Sequence, residues 1–368
     1  MNATAPRWAS VPDLDTPAVV VDVAVVDRNI TRMVHELRDR GVALRPHAKT
    51  HKSLDVARLQ LSHGATGITT ATLGEAEVFV DGGIPDVFIA YPIWAVGRKA
   101  QRLADLARRA PRLLVGADNP SGVAALAAAV GRSSRLEVVV EVESGEHRTG
   151  VQSPEQAVAV ARAILDSGLR LAGVFTHGGH SYASADAALP AANDEVDALL
   201  AAAQAIGQLG VDVPMLSAGS TPTALLSSRD GVTEERPGTF VFGDRQQVAL
   251  GAHPTDAVAL FVIATVVSTE VPGQVVLDAG AKILSKDLPA TLDGHGFLPH
   301  YPQAIVRRVF DHHAIVEVAR GEAPALGERV IVVPNHVCPV VNLVDELYLV
   351  DDGAVVGRWP VDARGRNT

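Results

Sequence analysis

Residues 45–52 read Arg45-Pro46-His47-Ala48-Lys49-Thr50-His51-Lys52, a polar cluster standing between a short apolar run at 42–45 and an amphipathic stretch. The same arrangement recurs along the chain. Glu143-Ser144-Gly145, Thr176-His177-Gly178-Gly179-His180 and Ser217-Ala218-Gly219-Ser220 each follow a β-branched apolar run. Runs of this kind lie at 18–23, 42–45, 67–71, 87–91, 112–116, 136–143, 171–176 and 215–218. Ala- and Leu-rich stretches of helical period separate them, at roughly 25 to 35 residues per unit, which is a βα repeat. Eight such units predict an α/β fold, a TIM-type (β/α)8 barrel, in which chemistry collects at the C-terminal ends of the strands. A doubly wound sheet would need a glycine-rich phosphate fingerprint after its first strand, and the run at 18–22 leads into a stretch without glycine.

Beyond about residue 253 the texture changes to Val- and Ile-rich runs at 259–271, 274–278, 314–318, 329–333 and 346–350, with no helical stretches between them. This predicts a second, all-β C-terminal domain. The expected division is a barrel over 17–250 and a β-domain over 251–368, with residues 1–16 as a candidate addition to the latter. The 368 residues suit a barrel plus a smaller partner.

A net charge of −10 without a run of Lys or Arg argues against a nucleic-acid partner. No apolar stretch is long enough for a bilayer span, and the first residues carry Pro and charge in place of a signal-peptide core. Cys338 is the only cysteine, so no intrachain disulfide forms. A cytoplasmic protein with a small-molecule partner is expected, with no membrane association.

A lysine at the mouth of a barrel strand can be partly desolvated, so that its neutral amine attacks an aldehyde. Lys49 has that position, although a Lys-Thr-His-Lys string on its own reads most simply as a solvated helix start. His-Val-Cys at 336–338 has a similar double reading. In a strand, residues two apart point to one side, so imidazole and thiolate converge on one ion, yet a lone His-x-Cys is usually coincidence.

The wider sequence decides both cases. The string Pro46-His47-Ala48-Lys49-Thr50-His51-Lys52 resembles the Pro-His-x-Lys-Thr-His-Lys signature of the fold-type III pyridoxal 5′-phosphate (PLP) enzymes of the D-serine dehydratase and D-threonine aldolase family. Further matches run in order through Asp15-Thr16-Pro17, Asp81-Gly82-Gly83, Tyr91-Pro92, Arg148-Thr149-Gly150, Arg236-Pro237-Gly238 and Asp278-Ala279-Gly280 to His336-Val337-Cys338. The resemblance implies an alanine racemase-like barrel with a metal-binding β-domain, PLP held by Lys49 as a Schiff base, a D-amino acid substrate and a homodimer.

It also implies site residues. Gly219, Ser220 and Thr221, followed by Pro222 at an expected first helical position, would cradle the phosphate. Arg148 would hold the phenolate oxygen, and His47, His177 and Tyr182 would line the cofactor. His180 and His51 are candidate proton-transfer groups beside Lys49. The dehydratases place a tyrosine near the pyridine nitrogen where this chain has Phe175, so a hydroxyl partner is missing at that position. His336 and Cys338 would bind a divalent metal next to PLP, with thiolate favouring Zn2+ over Mn2+ or Mg2+. Asp311-His312-His313 is a candidate support for that site.

A metal beside PLP suits substrates with a β-hydroxyl. The expected activity is a lyase of the D-serine dehydratase type, converting D-serine to pyruvate and ammonia and D-threonine to 2-oxobutanoate. The alternative is a D-threonine aldolase, releasing glycine and an aldehyde. Cys338 favours the dehydratase, because the aldolases carry Asp there. An amino-acid racemase would have no use for His336 and Cys338, and a non-catalytic PLP-binding protein would not need the β-domain.

Overall fold

The computed structural model describes residues 11–132, 134–319, 321 and 323–368. They form two compact units. One comprises 11–32, 50–56 and 239–364, the other 33–49, 57–238 and 365–368.

The first strand, β1 (Ala18–Asp22), does not open the barrel as the sequence predicts. The barrel strands are β2 (Ala43–Leu44), β3 (Ile68–Thr70), β4 (Asp86–Pro92), β5 (Arg112–Ala117), β6 (Glu137–Glu141), β7 (Arg170–Phe175), β8 (Met215–Ala218) and β9 (Glu234–Glu235). All eight pair in parallel, in the order β2-β9-β8-β7-β6-β5-β4-β3. A parallel bridge between His47 and Thr69 joins the two ends, with Thr66 and Thr69 N–H groups donating to the Leu44 and Pro46 carbonyls at 2.9 Å. The count of eight therefore holds with a different membership: 18–23 drops out, and β9, two buried glutamates that no apolar pattern reveals, completes the ring.

Side chains from successive barrel strands, Phe88, Leu114, Val139, Ala172, Phe175 and Met215, form one buried cluster. Phe88 meets Phe175 edge-on, with centroids 5.0 Å apart. The crossover helices start at clear signals. Asn119 and Ser153 accept the N–H groups of Gly122 and Gln156, and Pro120 and Pro154 occupy the first helical turn.

The second unit is built on β10 (Leu260–Ser268), β11 (Gln274–Leu277), β12 (Gly296–Phe297), β13 (Ile305–Val309), β14 (Ala314–Glu317), β15 (Arg329–Pro334), β16 (Glu346–Asp351) and β17 (Ala354–Pro360). With β1 they make a nine-stranded sheet, ordered β13-β14-β11-β10-β1-β16-β17, with β15 beside β10 and β12 beside β15. In β1, Ala18 pairs antiparallel with Ile263 and Val20 parallel with Tyr348. Four consecutive buried residues open β1. Such a run fits a central strand of either sheet, which is why its apolar pattern does not tell the two apart. Val20, Phe261, Ile263, Ile331 and Val333 anchor this unit's core, and Val11 and Leu14 pack against it. Residues 1–10 of the expected N-terminal addition lie outside the described residues. No helix among the described residues is long and apolar enough to cross a membrane.

Candidate active site

On the barrel unit, β2 runs through Arg45 and Pro46 into the turn Ala48–Thr50 that carries Lys49. The His47 N–H donates to the Pro237 carbonyl at 3.0 Å, and the Lys49 N–H reaches His47 Nδ1 at 3.3 Å. The half-buried Lys49 is thereby mounted on backbone fixed by both neighbouring strands. Arg45 belongs to the frame and not to the site. Its guanidinium is buried between Glu234, at 2.9 Å, and Asp86, at 2.6 Å.

His177 follows β7, with Nδ1 3.4 Å from the Gly219 carbonyl. Burial, followed by the positive charges of Lys49, Arg148 and Arg236, lowers its pKa to about 3. The ring is neutral, and its Nδ1–H can point at Gly219. Gly219 follows β8 at φ +109, and a Cβ there would stand 2.2 Å from Glu235 Oε2 and 2.9 Å from the Arg236 nitrogen, so only glycine fits. Ser220 and Thr221 are buried. Ser220 Oγ lies 3.1 Å from Ser181 Oγ and 3.0 Å from Thr223 Oγ1, which links the loops after β7 and β8. Pro222 precedes the N-cap Thr223 of the short helix Ala224–Ser227 and so is not the first helical residue.

Arg148 lies exposed in the loop after β6, with its charge acting on His177 and on the buried Glu141. Tyr182 ends the 3-10 turn Gly179–Tyr182. His180, in the same turn, sets Nε2 3.1 Å from Asp194 Oδ2, while its buried Nδ1 has no partner among the described residues. Phe175 is buried under the Arg236 guanidinium, whose carbon sits 5.2 Å from the ring centroid.

On the other unit, His51 is fully buried, and its Nδ1 accepts the Ser53 N–H at 3.1 Å. His336 and Cys338 do not share a strand face. β15 ends at Pro334, His336 is the N-cap of the helix Val337–Asn342, and Cys338 lies in that helix's first turn, which curls the two side chains together. Burial lowers the His336 pKa, but the Cys338 sulfur and the Asp287 carboxylate outweigh it and push the ring up to about 11. Asp287 Oδ2 holds Nδ1 at 2.6 Å, and Cys338 Sγ lies 3.4 Å from Thr50 Oγ1. The carboxylate supporting His336 is therefore Asp287. Asp311, the expected support, pairs with Lys282 at 3.6 Å. Asp244 is buried, with Oδ1 accepting the Gln247 N–H at 2.8 Å and Oδ2 the Val337 N–H at 3.1 Å.

Residues 21–246 match the family model of the alanine racemase N-terminal domain, and residues 259–350 match that of a putative serine dehydratase domain. The chain belongs to the alanine racemase-like family. D-threo-3-hydroxyaspartate dehydratase of Delftia sp. (strain HT23) is 36% identical to it over 349 residues, 88% of this chain and 91% of that one. The crystal structure of D-threonine aldolase from Filomicrobium marinum superposes with a TM-score of 0.89 at 32% identity, covering 98% of this chain and 99% of that one. A cysteine-to-alanine mutant of D-threo-3-hydroxyaspartate dehydratase in a metal-free form gives a TM-score of 0.86 at 34% identity, covering 95% and 97%.

The residues of this alanine racemase-like protein fit both groups that the family implies. For PLP they provide an amine at Lys49, a neutral flat ring at His177, buried hydroxyls at Ser220 and Thr221, and a glycine at 219 where a side chain has no room. For a metal they provide the His336 imidazole, its Nδ1 bound to Asp287, and the Cys338 sulfur against which the ring is set. Among the described residues no group of three or more His, Cys, Asp or Glu could hold an ion. Two protein ligands leave coordination positions open, as catalytic sites do. Sequence reasoning missed Asp287 and Asp244, which sit far along the chain from the motif they support. Acidic residues alone carry no signal of that role.

Proposed function

We propose that the protein is a PLP- and divalent-metal-dependent lyase acting on β-hydroxy-D-amino acids, of the D-serine dehydratase type. The observation that carries this reading is the pair His336 and Cys338, with Asp287 holding Nδ1 of an imidazole that is set against the Cys338 sulfur. A histidine and a thiolate make a site for a soft ion such as Zn2+, which can take a β-hydroxyl as it leaves. A racemase has no step that needs it.

Bound PLP supplies the electron sink that acidifies the substrate Cα–H. Lys49 Nζ takes that proton and can return it. His177 stays neutral beside the cofactor and so does not compete for the proton. Ser220, Thr221 and the Gly219 turn would hold the phosphate end. The products of dehydration are a keto acid and ammonium.

A second reading is retro-aldol cleavage, favoured by the likeness to a D-threonine aldolase over almost the whole chain. Incubation of the PLP- and zinc-loaded protein with D-threonine, with Lys49→Ala as control, separates the two. 2-Oxobutanoate with ammonium supports the dehydratase, and glycine with acetaldehyde replaces it with the aldolase. PLP binding without either product rules out a β-hydroxy substrate and directs the test to racemisation.

A further inference from the structure

Two glutamates in the barrel wall are fully buried and play no part in the chemistry above. Glu195, on the helix Ala188–Gly207, accepts with Oε1 the Gly178 N–H at 2.7 Å and the Gly219 N–H at 3.0 Å. It ties the loop behind His177 to the loop that leads into Ser220. A Cβ on Gly178 would sit 2.7 Å from the Glu195 carboxyl carbon, so this position too is confined to glycine. Glu235, in β9, accepts the Ser227 hydroxyl with Oε1 at 2.8 Å, and its Oε2 fills the space where a Gly219 Cβ would stand, 2.2 Å from that position. Both carboxyl groups converge on Gly219. The remaining oxygen of each, Glu195 Oε2 and Glu235 Oε2, is buried without a hydrogen-bond partner among the described residues.

We infer that Glu235 is protonated and donates to Glu195, so that one shared proton joins the two carboxyl groups into a brace beneath the Gly219–Ser220–Thr221 loop. A buried acceptor left unpaired is penalised by lost hydration, and two neighbouring carboxylates resist ionising together. One proton removes both penalties. Its position follows from the partners: the Thr223 side chain and two backbone N–H groups stabilise the charged form of Glu195, whereas Glu235 has one hydroxyl. Burial and the negative charge of Glu195 both act to keep the Glu235 proton on. The other charged groups acting on Glu235 are Glu234, its neighbour on β9, and Arg236, which follows β9 and acts on Glu195 as well.

The consequence for the cofactor rests on the PLP reading. With the proton in place the brace carries one negative charge near the phosphate loop. Rising pH removes the proton and adds a second charge under a dianionic group, so PLP affinity falls on the alkaline side. Glu195 and Glu235 are positioning residues, acting through Gly178 and Gly219.

Infrared difference spectroscopy of wild-type protein against Glu235→Gln, without cofactor, tests the proton directly. A carboxylic-acid C=O band present in the wild type at neutral pH and absent in the variant is expected. PLP titrations across pH then test the coupling. The wild type should lose about tenfold in affinity as the pair ionises, and the variant, whose amide keeps both hydrogen bonds without a titrating proton, should not. Should the variant fold poorly, a wild-type band that titrates away with rising pH reads the same proton. A missing band, or one that survives Glu235→Gln, overturns the brace. Equal alkaline losses in both proteins overturn its link to the phosphate. A band in a protein that takes up no PLP upholds the shared proton and overturns the cofactor reading.

Discussion

His336 gives its Nδ1 to Asp287 Oδ2 at 2.6 Å, and this one contact decides which ring nitrogen can face an ion. A metal-bound imidazole is oriented and made more basic by such a carboxylate, and its loss costs about 10–100-fold in metal affinity. Asp287→Ala should therefore weaken zinc binding by that order, as read by competition with a chelating dye. Asp311→Ala should not, because Asp311 pairs with Lys282. Equal losses in the two variants would return the supporting role to the Asp311-His312-His313 segment.

In the proposed lyase, Cys338 would set the preference among metals. Thiolate selects zinc, and carboxylate suits manganese or magnesium. Cys338→Asp should lower the affinity for Zn2+ and raise the relative affinity for Mn2+, measured by metal content after equilibration against a mixture of the two. An unchanged ratio would mean that Cys338 is not a ligand.

Asp244 caps the helix Arg245–Ala249 with one carboxylate oxygen and holds the N-terminus of the His336–Cys338 helix with the other. Asparagine has only one acceptor to share between them. Asp244→Asn should cost about 1–2 kcal/mol in stability, the range for a lost cap. It should also weaken metal binding, since Val337 lies between the two proposed ligands. Calorimetry with and without zinc distinguishes the two effects.

How much of this was legible in the sequence depends on what each residue signals on its own. Lys49, His177, Gly219, His336 and Cys338 stand in short local motifs; the loops that carry the first three follow strands as their patterns predict, whereas His336 and Cys338 open a helix where a strand was expected. β1 and β9 are the counterexamples. A run of Ala-Val-Val-Val suits any strand buried on both faces, so only its pairing with β10 and β16 assigns it. Glu234 and Glu235 have no apolar pattern at all. They form a strand because Arg45, Ser217 and Ser227 satisfy their carboxyl groups from elsewhere in the barrel. Asp287 and Asp244 were hidden for a related reason, since a carboxylate acquires its role from partners about 50 and 90 residues away, distances that no local period records.

Arg45 illustrates the cost of such burial. Its side chain is 2% exposed and that of Glu234 8%, and Asp86 closes the other side of the guanidinium. Removing the cation strips Glu234 of its ion pair and leaves Asp86 with Arg112 alone, at 2.9 Å. Arg45→Met should cost about 3–5 kcal/mol, the usual penalty for breaking a buried pair. Arg45→Lys should recover only part of it, because an ammonium cannot span both carboxylates. Urea unfolding followed by circular dichroism measures both, and a loss under about 1 kcal/mol for Arg45→Met would show the network to be dispensable.

The last prediction concerns His177 and acid. Burial, with Lys49, Arg148 and Arg236 nearby, lowers its folded pKa to about 3, against 6.5 for an unperturbed histidine. Between those two values the unfolded chain binds a proton at this position and the folded chain does not. Stability therefore rises with pH through that window and is lost as acid is added from pH 6.5 towards 3. An uncharged asparagine keeps a donor for the Gly219 carbonyl and has nothing to titrate, so His177→Asn should flatten that part of the profile. The comparison to make is the pH dependence of the difference in urea midpoint between the two proteins. If that difference stays constant from pH 7 to 4, the folded ring takes up its proton as freely as the unfolded one. His177 would then be a charged group beside Lys49, and its assignment as the neutral ring of the site would have to be withdrawn.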